Sequence, residues 1–508
     1  MFRAAYIFSS DMVLQRDKNI TVWGESDAEG AEVTAHIGEN SARTKVTDGK
    51  WRLTLPPMPA GGPYTLELFC KLSGNGTASS DTIRFENVMI GEVWLCGGQS
   101  NMELELQNCK GGKDILSSLT PDCNVRFYYT PKKSYIDESH AAAEKASHWS
   151  LAGREESAAW SAVGFFFARK LAADLGITVG LIGCNWGGTS ASAWVDRDTL
   201  ADSRMTVPYL EDFAAAVKGK SEAQQIREYD EWAERHAAWW KRVSDFMEKN
   251  PGVSWDVINK TCGEYTAPPM GIKCETRPCG LYESMLMRVC PYTLRGFLYY
   301  QGESDDHRPD SYYKLFTSLI SLWRERWGDD TLPFILTQLP MYKSASDPDY
   351  KHWCIIREAQ MKAFRTVKNT GIAVTTDCGE FDNIHPVDKL PVGERLCLQA
   401  EKLVYGMDVD AFGPLFRDLV YKDGGALLSF DNAEKGFDLH TDTVTGFELA
   451  GADKNFVPAK ADIRGSEIFL SSPDVPDPQY VRYDWSNWIV PSLFGKNGIP
   501  LAPFTTER

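Results

Sequence analysis

The sequence predicts an α/β protein: a parallel sheet with helices on both faces, joined to β-sandwich-like regions at its N- and C-terminal ends. Three observations predict this. Between Val88 and Gly413 short apolar runs alternate with apolar-periodic segments of about 10 to 15 residues, the rhythm of strand–helix–strand units. On either side of that stretch apolar residues alternate with polar ones, the period of a half-buried strand. Finally, 43% of the 508 residues are hydrophobic, enough to bury more than one core. The expected division is an N-terminal β-sandwich over 1–87, an α/β region over 88–412 with a helical insert at about 200–280, and a C-terminal β region over 413–508.

Residues 19–24, 32–37, 50–55 and 64–69 read as the first strands, separated by the turn residues of 27–30, 48–49 and 61–63. In the α/β region the strands fall at 93–96, 177–182, 294–300, 334–339 and 370–376. The helices fall at 158–175, where Gly176 stops the pattern, and at 311–327, 355–365 and 393–404. Residues 200–250 are charged and helical, with Trp232, His236, Trp239 and Trp240 on one face. That stripe could line a cleft, but the packing face of a helical hairpin is the favoured reading. Strands return at 446–449, 468–470 and 481–489.

Composition excludes several function classes. No run approaches the roughly 20 apolar residues of a membrane helix. A net charge of −16 opposes broad nucleic-acid binding and adhesion to anionic membranes. The twelve cysteines are scattered and form no C-x-x-C pair, so a zinc ribbon or thioredoxin-like site is not expected. Free thiols suit a reducing compartment, and residues 1–16 show no basic-then-apolar leader, so a cytoplasmic protein is expected. No metal or other cofactor is expected, because no His/Cys/Asp cluster has ligand spacing. The expected partner is a small substrate, with neither nucleic acid nor membrane; oligomeric state stays open.

Four segments fall just past expected strands, where open parallel sheets place their sites. They are Gly97-Gly98-Gln99-Ser100-Asn101-Met102, Asn185-Trp186-Gly187-Gly188-Thr189, Gln301-Gly302-Glu303-Ser304-Asp305 and Asp382-Asn383-Ile384-His385-Pro386. Each alone is a common glycine-rich turn, and a lone serine after Gly-Gly is more often a helix cap. Together they hold the parts of an esterase. A serine hydroxyl needs a base to take its proton, and the base needs an acceptor to fix its tautomer. Asp382 and His385, three residues apart, can enter one site from a single turn. Ser100 and Gly188 can offer backbone N–H groups, and Gln301 a side-chain amide, to an oxyanion. Gln301 could equally bond its neighbouring loop. Glu303 is favoured as a structural group near the site. His307 sits in Asp305-Asp306-His307-Arg308, which reads as a solvated loop.

The order Ser, Asp, His also suits the α/β-hydrolase fold, but Met102 stands where G-x-S-x-G has its second glycine. The set G-Q-S-N-M, N-W-G-G-T, Y-Q-G-E-S and D-N-I-H-P instead resembles the SGNH hydrolase superfamily, in the branch of sialate O-acetylesterase-like proteins. Further likeness lies in 8–15, in Arg357-Glu358-Ala359-Gln360, and in 497–504 near the C-terminal end. Tyr300, Asp305 and Asp306 depart from the branch's usual pattern. The resemblance implies a flavodoxin-like parallel sheet. It implies Ser100 as nucleophile, His385 as base, Asp382 as its orienter, and an oxyanion hole of Ser100, Gly188 and Gln301. Gln99, Asn101, Trp186 and Glu303 become candidate substrate contacts. The implied reaction removes O-acetyl groups from a carbohydrate through an acetyl-serine. Sialic acid is the first choice of sugar and a xylan- or mannan-type plant polysaccharide the alternative. A carbohydrate-binding protein on an inactive esterase scaffold is the rival of another class. A sialic acid carboxylate would call for an arginine, with Arg295, Arg308 and Arg357 as candidates.

Overall fold

The computed structural model describes residues 1–71, 80–250 and 255–507. The central strands are β1 (Ser80–Gly98), β2 (Val125–Tyr129), β3 (Trp149–Leu151), β4 (Val179–Asn185), β5 (Gly296–Tyr300), β6 (Phe334–Thr337) and β7 (Thr370–Ala373). They lie in the order β3-β2-β4-β1-β5-β6-β7, parallel throughout except for β3. β4, β5, β6 and β7 are buried along their whole length, as strands covered on both faces must be. The crossover helices are α1 (Ala162–Leu175), α3 (Pro309–Trp327), α4 (His352–Thr366) and α5 (Leu390–Leu403), with α2 (Glu222–Lys249) in the insert. α1 packs against α5 and α3 against α4. β1 is flanked by β4 on one side and β5 on the other, so the chain order switches direction there. A crevice opens at the carboxyl end of a strand at such a point.

Two elements of this sheet carry no usable sequence signal. β2 (V-R-F-Y-Y) neither alternates nor forms a long apolar run, and β3 has only three residues. β1 is also longer than the sequence suggests. It runs through Asn87, whose φ of 54° accompanies a register shift in the pairing with Gly61–Lys71. Asparagine tolerates that left-handed conformation, and one strand pairs with N-terminal strands as far as Gly91 and with β4 from Glu92 onward.

The N-terminal strands alternate as expected; Lys50–Leu55 exposes and buries every second residue. Their core continues into the α/β region. Phe8 and Trp23 pack on Tyr292, and Trp149 Nε1 donates to Ile7 O at 2.9 Å. The C-terminal region forms two four-stranded sheets and a two-stranded one around its own core, which includes Leu428, Phe447, Tyr483 and Phe504. The strand expected over 481–489 ends at Tyr483, because Asp484 turns the chain with φ 48°.

The helical insert comprises Val207–Ala216, α2 and Trp255–Cys262. Trp239 packs with Val243, Ile258 and Cys262 in a small separate core. Trp232 and Trp239 are buried and donate their indole N–H groups to Thr266 O and Gly263 O, so that part of the stripe is a packing face, whereas Trp240 is exposed. No helix among the described residues is long and apolar enough to cross a membrane.

Candidate active site

β1 delivers Ser100. Its last residues, Gly97 and Gly98, are glycines for lack of room: a Cβ on Gly98 would lie 2.1 Å from Tyr300 O, and one on Gly97 would lie 2.7 Å from the Trp323 ring. Ser100 then begins a short helix, Ser100–Glu103, and no acceptor takes its N–H among the described residues. β4 delivers the Trp186–Gly188 turn, tied to β1 by Trp186 N donating to Gly98 O. Gly188 has φ 74°, a conformation glycine adopts without strain, and its N–H also has no partner among the described residues. The turn lies against the serine, since a Cβ on Gly187 would sit 3.2 Å from Ser100 Cβ.

The segment after β7 supplies His385. Its Nε2 lies 2.9 Å from Ser100 Oγ. With Nε2 unprotonated, the hydroxyl donates and the pair is set for proton transfer. Withdrawal of the ring from water lowers the His385 pKa from its ordinary value; the Lys389 charge lowers it further and Glu103 opposes both. The neutral imidazole that a base requires is therefore favoured. His385 N–H donates to Asn383 Oδ1, Asn383 donates to Glu380, and Glu380 also accepts from Val387 N–H.

Asp382 does not reach His385. It is exposed, with φ 60°; its N–H donates to Lys343 O and its carboxylate accepts from Ala345 N–H at 3.1 Å. Three residues' separation allows both side chains into one site but does not fix their direction. The left-handed residue at Asp382 starts a turn that sends the carboxylate to the 343–345 segment.

Gln301 is likewise turned away from the role expected of it. It is fully buried, and its Nε2 donates to Asp305 Oδ2 at 2.6 Å and to Thr189 O at 3.3 Å. Asp305 is the cause. It is not solvated but has 0% exposure, and it also accepts from Ser190 Oγ, Tyr209 Oη and Ala191 N–H. A buried carboxylate must gather donors to offset its lost hydration, and the Gln301 amide is one of them.

Asn101 and Glu303 are buried beneath the serine instead of facing substrate. Asn101 Nδ2 donates to Glu303 Oε1 at 2.7 Å and to Ile384 O at 2.9 Å, while its Oδ1 accepts from Lys389 Nζ at 2.6 Å. One amide thus joins the serine, glutamine and histidine segments. Burial raises the Glu303 pKa and depresses that of Lys389 to about 8. Gln99 accepts from Ser304 N–H through Oε1, leaving its amide nitrogen without a partner among the described residues; Trp186 is half-buried. Glu103, also unforeseen, accepts from Gly187 N–H at 2.5 Å and pairs with Lys132. Lys389 and Asp305 gave no sequence signal of burial. Glu103 was legible only through its spacing of three from Ser100, one turn along a helix.

Among the described residues, Asp174, Cys397 and Glu401 could converge on a metal, but the Lys170 ammonium lies between the two carboxylates at 2.6 and 2.7 Å. A cation is already built in.

A largely parallel sheet with helices on both faces and a serine–histidine pair at its switch point is an α/β protein with the groups an ester hydrolase uses. The comparisons narrow this. The family model described as carbohydrate esterase, sialic acid-specific acetylesterase matches residues 273–397. Sialate O-acetylesterase of Mus musculus is 30% identical over 463 residues, spanning 85% of this chain and 79% of that protein. The Homo sapiens protein of the same name is 28% identical over 447 residues, spanning 82% and 73%. The crystal structure of a carbohydrate acetylesterase from Xanthomonas citri is similar with a TM-score of 0.78 and 28% identity, over 99% of each chain. The chain belongs to the sialate O-acetylesterase family and is a carbohydrate O-acetylesterase.

Proposed function

We propose that Ser100 is the nucleophile of this deacetylation and His385 its base. The observation that carries the reading is the 2.9 Å contact of Ser100 Oγ with His385 Nε2, beside the unpartnered N–H groups of Ser100 and Gly188. His385 takes the hydroxyl proton as Oγ attacks the acetyl carbonyl. The two N–H groups donate to the oxyanion that forms. As the carbon–oxygen bond to the sugar breaks, His385 returns the proton to the sugar oxygen and the acetyl group stays on Ser100. Water then attacks with His385 again as base, releasing acetate and the free hydroxyl. Gln99 and Trp186 are substrate contacts in this scheme, whereas Asp382 and Gln301 take no step. The sugar is either acidic, like the sialic acids that name the mammalian relatives, or neutral. A cytoplasmic setting belongs to the same proposal and is supported by twelve cysteines that are all free.

The test is covalent. An organophosphorus ester should stop acetate release from 4-nitrophenyl acetate and leave its adduct on the Ser100 peptide. An adduct elsewhere, or full activity in Ser100→Ala, would remove Ser100 from the role.

A further inference from the structure

A cavity of about 360 Å³ opens beside the proposed nucleophile, at the small end of the roughly 300–1,000 Å³ typical of small-ligand sites. Gly188 and Ser304 line it, and each adjoins the serine segment through a neighbour: Gly187, the residue before Gly188, lies against Ser100, and Ser304 N–H is held by Gln99, the residue before Ser100. The far wall belongs to the helical insert, through Tyr209, Asp212 and Phe213, and His307 closes one side. Three larger cavities, of about 440, 530 and 470 Å³, lie elsewhere: one beside Tyr313 and Phe504, one beside Trp51 and Arg288, and one beside Asp198 and Lys314.

Two polar groups of this cavity are unengaged. The Ser304 hydroxyl and the His307 ring make no hydrogen bond among the described residues. Tyr209 is fixed by its bond to Asp305, and Phe213 is half-buried, so the two present aromatic surface with little conformational freedom to lose. No lysine or arginine lines the cavity. The three arginines that could have met a carboxylate already donate to protein acceptors, Arg308 and Arg357 each keeping a buried Nε without one among the described residues. Arg295 binds Glu92 through two nitrogens, at 2.7 and 3.0 Å. Arg357 is 1% exposed and donates to Pro340 O and Ser486 O. Arg308 donates to Asp212 and lies over the Tyr209 ring.

From this we infer that the cavity is the sugar subsite, built by the insert, and that it takes a neutral pyranose or furanose ring rather than a carboxylated one. The ring's C–H face would lie on Tyr209 and Phe213 while its hydroxyls meet Ser304 and His307. A carboxylate would enter beside Asp212 with no lysine or arginine in the lining to pair it, whereas a neutral ring brings no charge to desolvate. The inference rests on the proposed role of Ser100, so its test separates the two.

Acetate release is measured from an O-acetylated methyl xyloside, from 9-O-acetyl-N-acetylneuraminic acid and from the methyl ester of that acid. The neutral xyloside should exceed the free acid in kcat/KM by at least about tenfold, and esterifying the carboxylate should recover much of the gap. Asp212→Asn, which releases Arg308, should shift the acid-to-neutral ratio toward the acid by about tenfold. Phe213→Ala should raise KM for the xyloside by about tenfold. Binding of the same three sugars to Ser100→Ala protein, followed calorimetrically, should rank them in the same order without any turnover. A preference for the free acid in either assay, or a Phe213→Ala enzyme with unchanged KM, would overturn the inference. Hydrolysis persisting in Ser100→Ala would instead overturn the nucleophile and leave the binding order standing.

Discussion

Replacing Gln301 by alanine distinguishes a scaffold amide from an oxyanion donor, and the structure sets the size of the effect. The side chain is completely buried. Its removal deletes the 2.6 Å bond to the Asp305 carboxylate, a charge-assisted contact worth about 1.5–3 kcal/mol. Asp305 keeps Ser190, Ala191 and Tyr209 as donors, so the carboxylate is weakened, not abandoned. Tyr312 keeps the Gln301 backbone carbonyl at 3.0 Å, but the buried Tyr299 hydroxyl loses its 3.5 Å contact with Oε1. With the cavity left behind, the total is about 3–5 kcal/mol. The expected outcome is a lower urea midpoint and melting temperature, with turnover of the folded fraction within about tenfold of wild type. Parallel denaturation curves and active-site-titrated kinetics on 4-nitrophenyl acetate measure both. An oxyanion donor behaves oppositely: its loss costs about a hundred- to a thousandfold in kcat and leaves stability alone. Normal stability with that kinetic loss would refute the reasoning and show that Nε2 leaves Asp305 during the reaction.

Other perturbations follow from the same geometry. Ser100→Ala should lose on the order of a million-fold in kcat with an unchanged melting temperature, and retention of a tenth of the activity would exclude it as nucleophile. Asp382→Asn should keep kcat within about tenfold, because an asparagine oxygen can still accept from Ala345 N–H; a loss near ten-thousandfold, as a missing triad acid gives, would show the carboxylate moving onto His385. The rise of kcat/KM with pH should be centred below the ordinary histidine value of 6.5, since only unprotonated His385 acts as base, and Lys389→Met should move it upward by removing a nearby positive charge. Burial holds the Lys389 pKa at about 8 in the folded state against 10.5 for an exposed lysine, so the folded state binds fewer protons in that window. The Lys389 contribution to stability should therefore climb by about 3 kcal/mol between pH 8 and 10.5, read as the difference between wild type and Lys389→Met at each pH, since the buried cysteine thiols common to both proteins pull the other way.

What the sequence made legible was the placement of segments, not the aim of side chains. The strand–turn–helix rhythm put Ser100, Gly188, Gln301 and His385 past the ends of β1, β4, β5 and β7, and β1 does lie between β4 and β5. Two segments far apart in the chain then bring Ser100 and His385 to 2.9 Å. Side-chain direction depends on local torsions that residue spacing does not encode. Asp382 points away because its own backbone is left-handed. Asp305 was hidden in a run of charges that resembles a solvated loop, and its burial redirected Gln301. Lys389 had no distinguishing mark, because a lysine opening a helix is usually exposed.

The buried residues also explain how the pair is held. Ser100 and His385 sit on segments with no covalent reason to stay in register, and proton transfer tolerates little error in distance. Asn101, the residue after the nucleophile, donates to the backbone carbonyl of Ile384, the residue before the base. Its remaining bonds go to Glu303 and Lys389. A lysine 1% exposed is destabilising in its ammonium form, and its depressed pKa measures the cost. An apolar side chain there would carry no desolvation cost but would leave the Asn101 oxygen unpaired and Glu303 without its nearby positive charge. The network therefore exchanges stability for position. Its failure mode is specific: Asn101→Ala should lengthen the Ser100–His385 contact and lower kcat more than KM, even where substrate never touches residue 101.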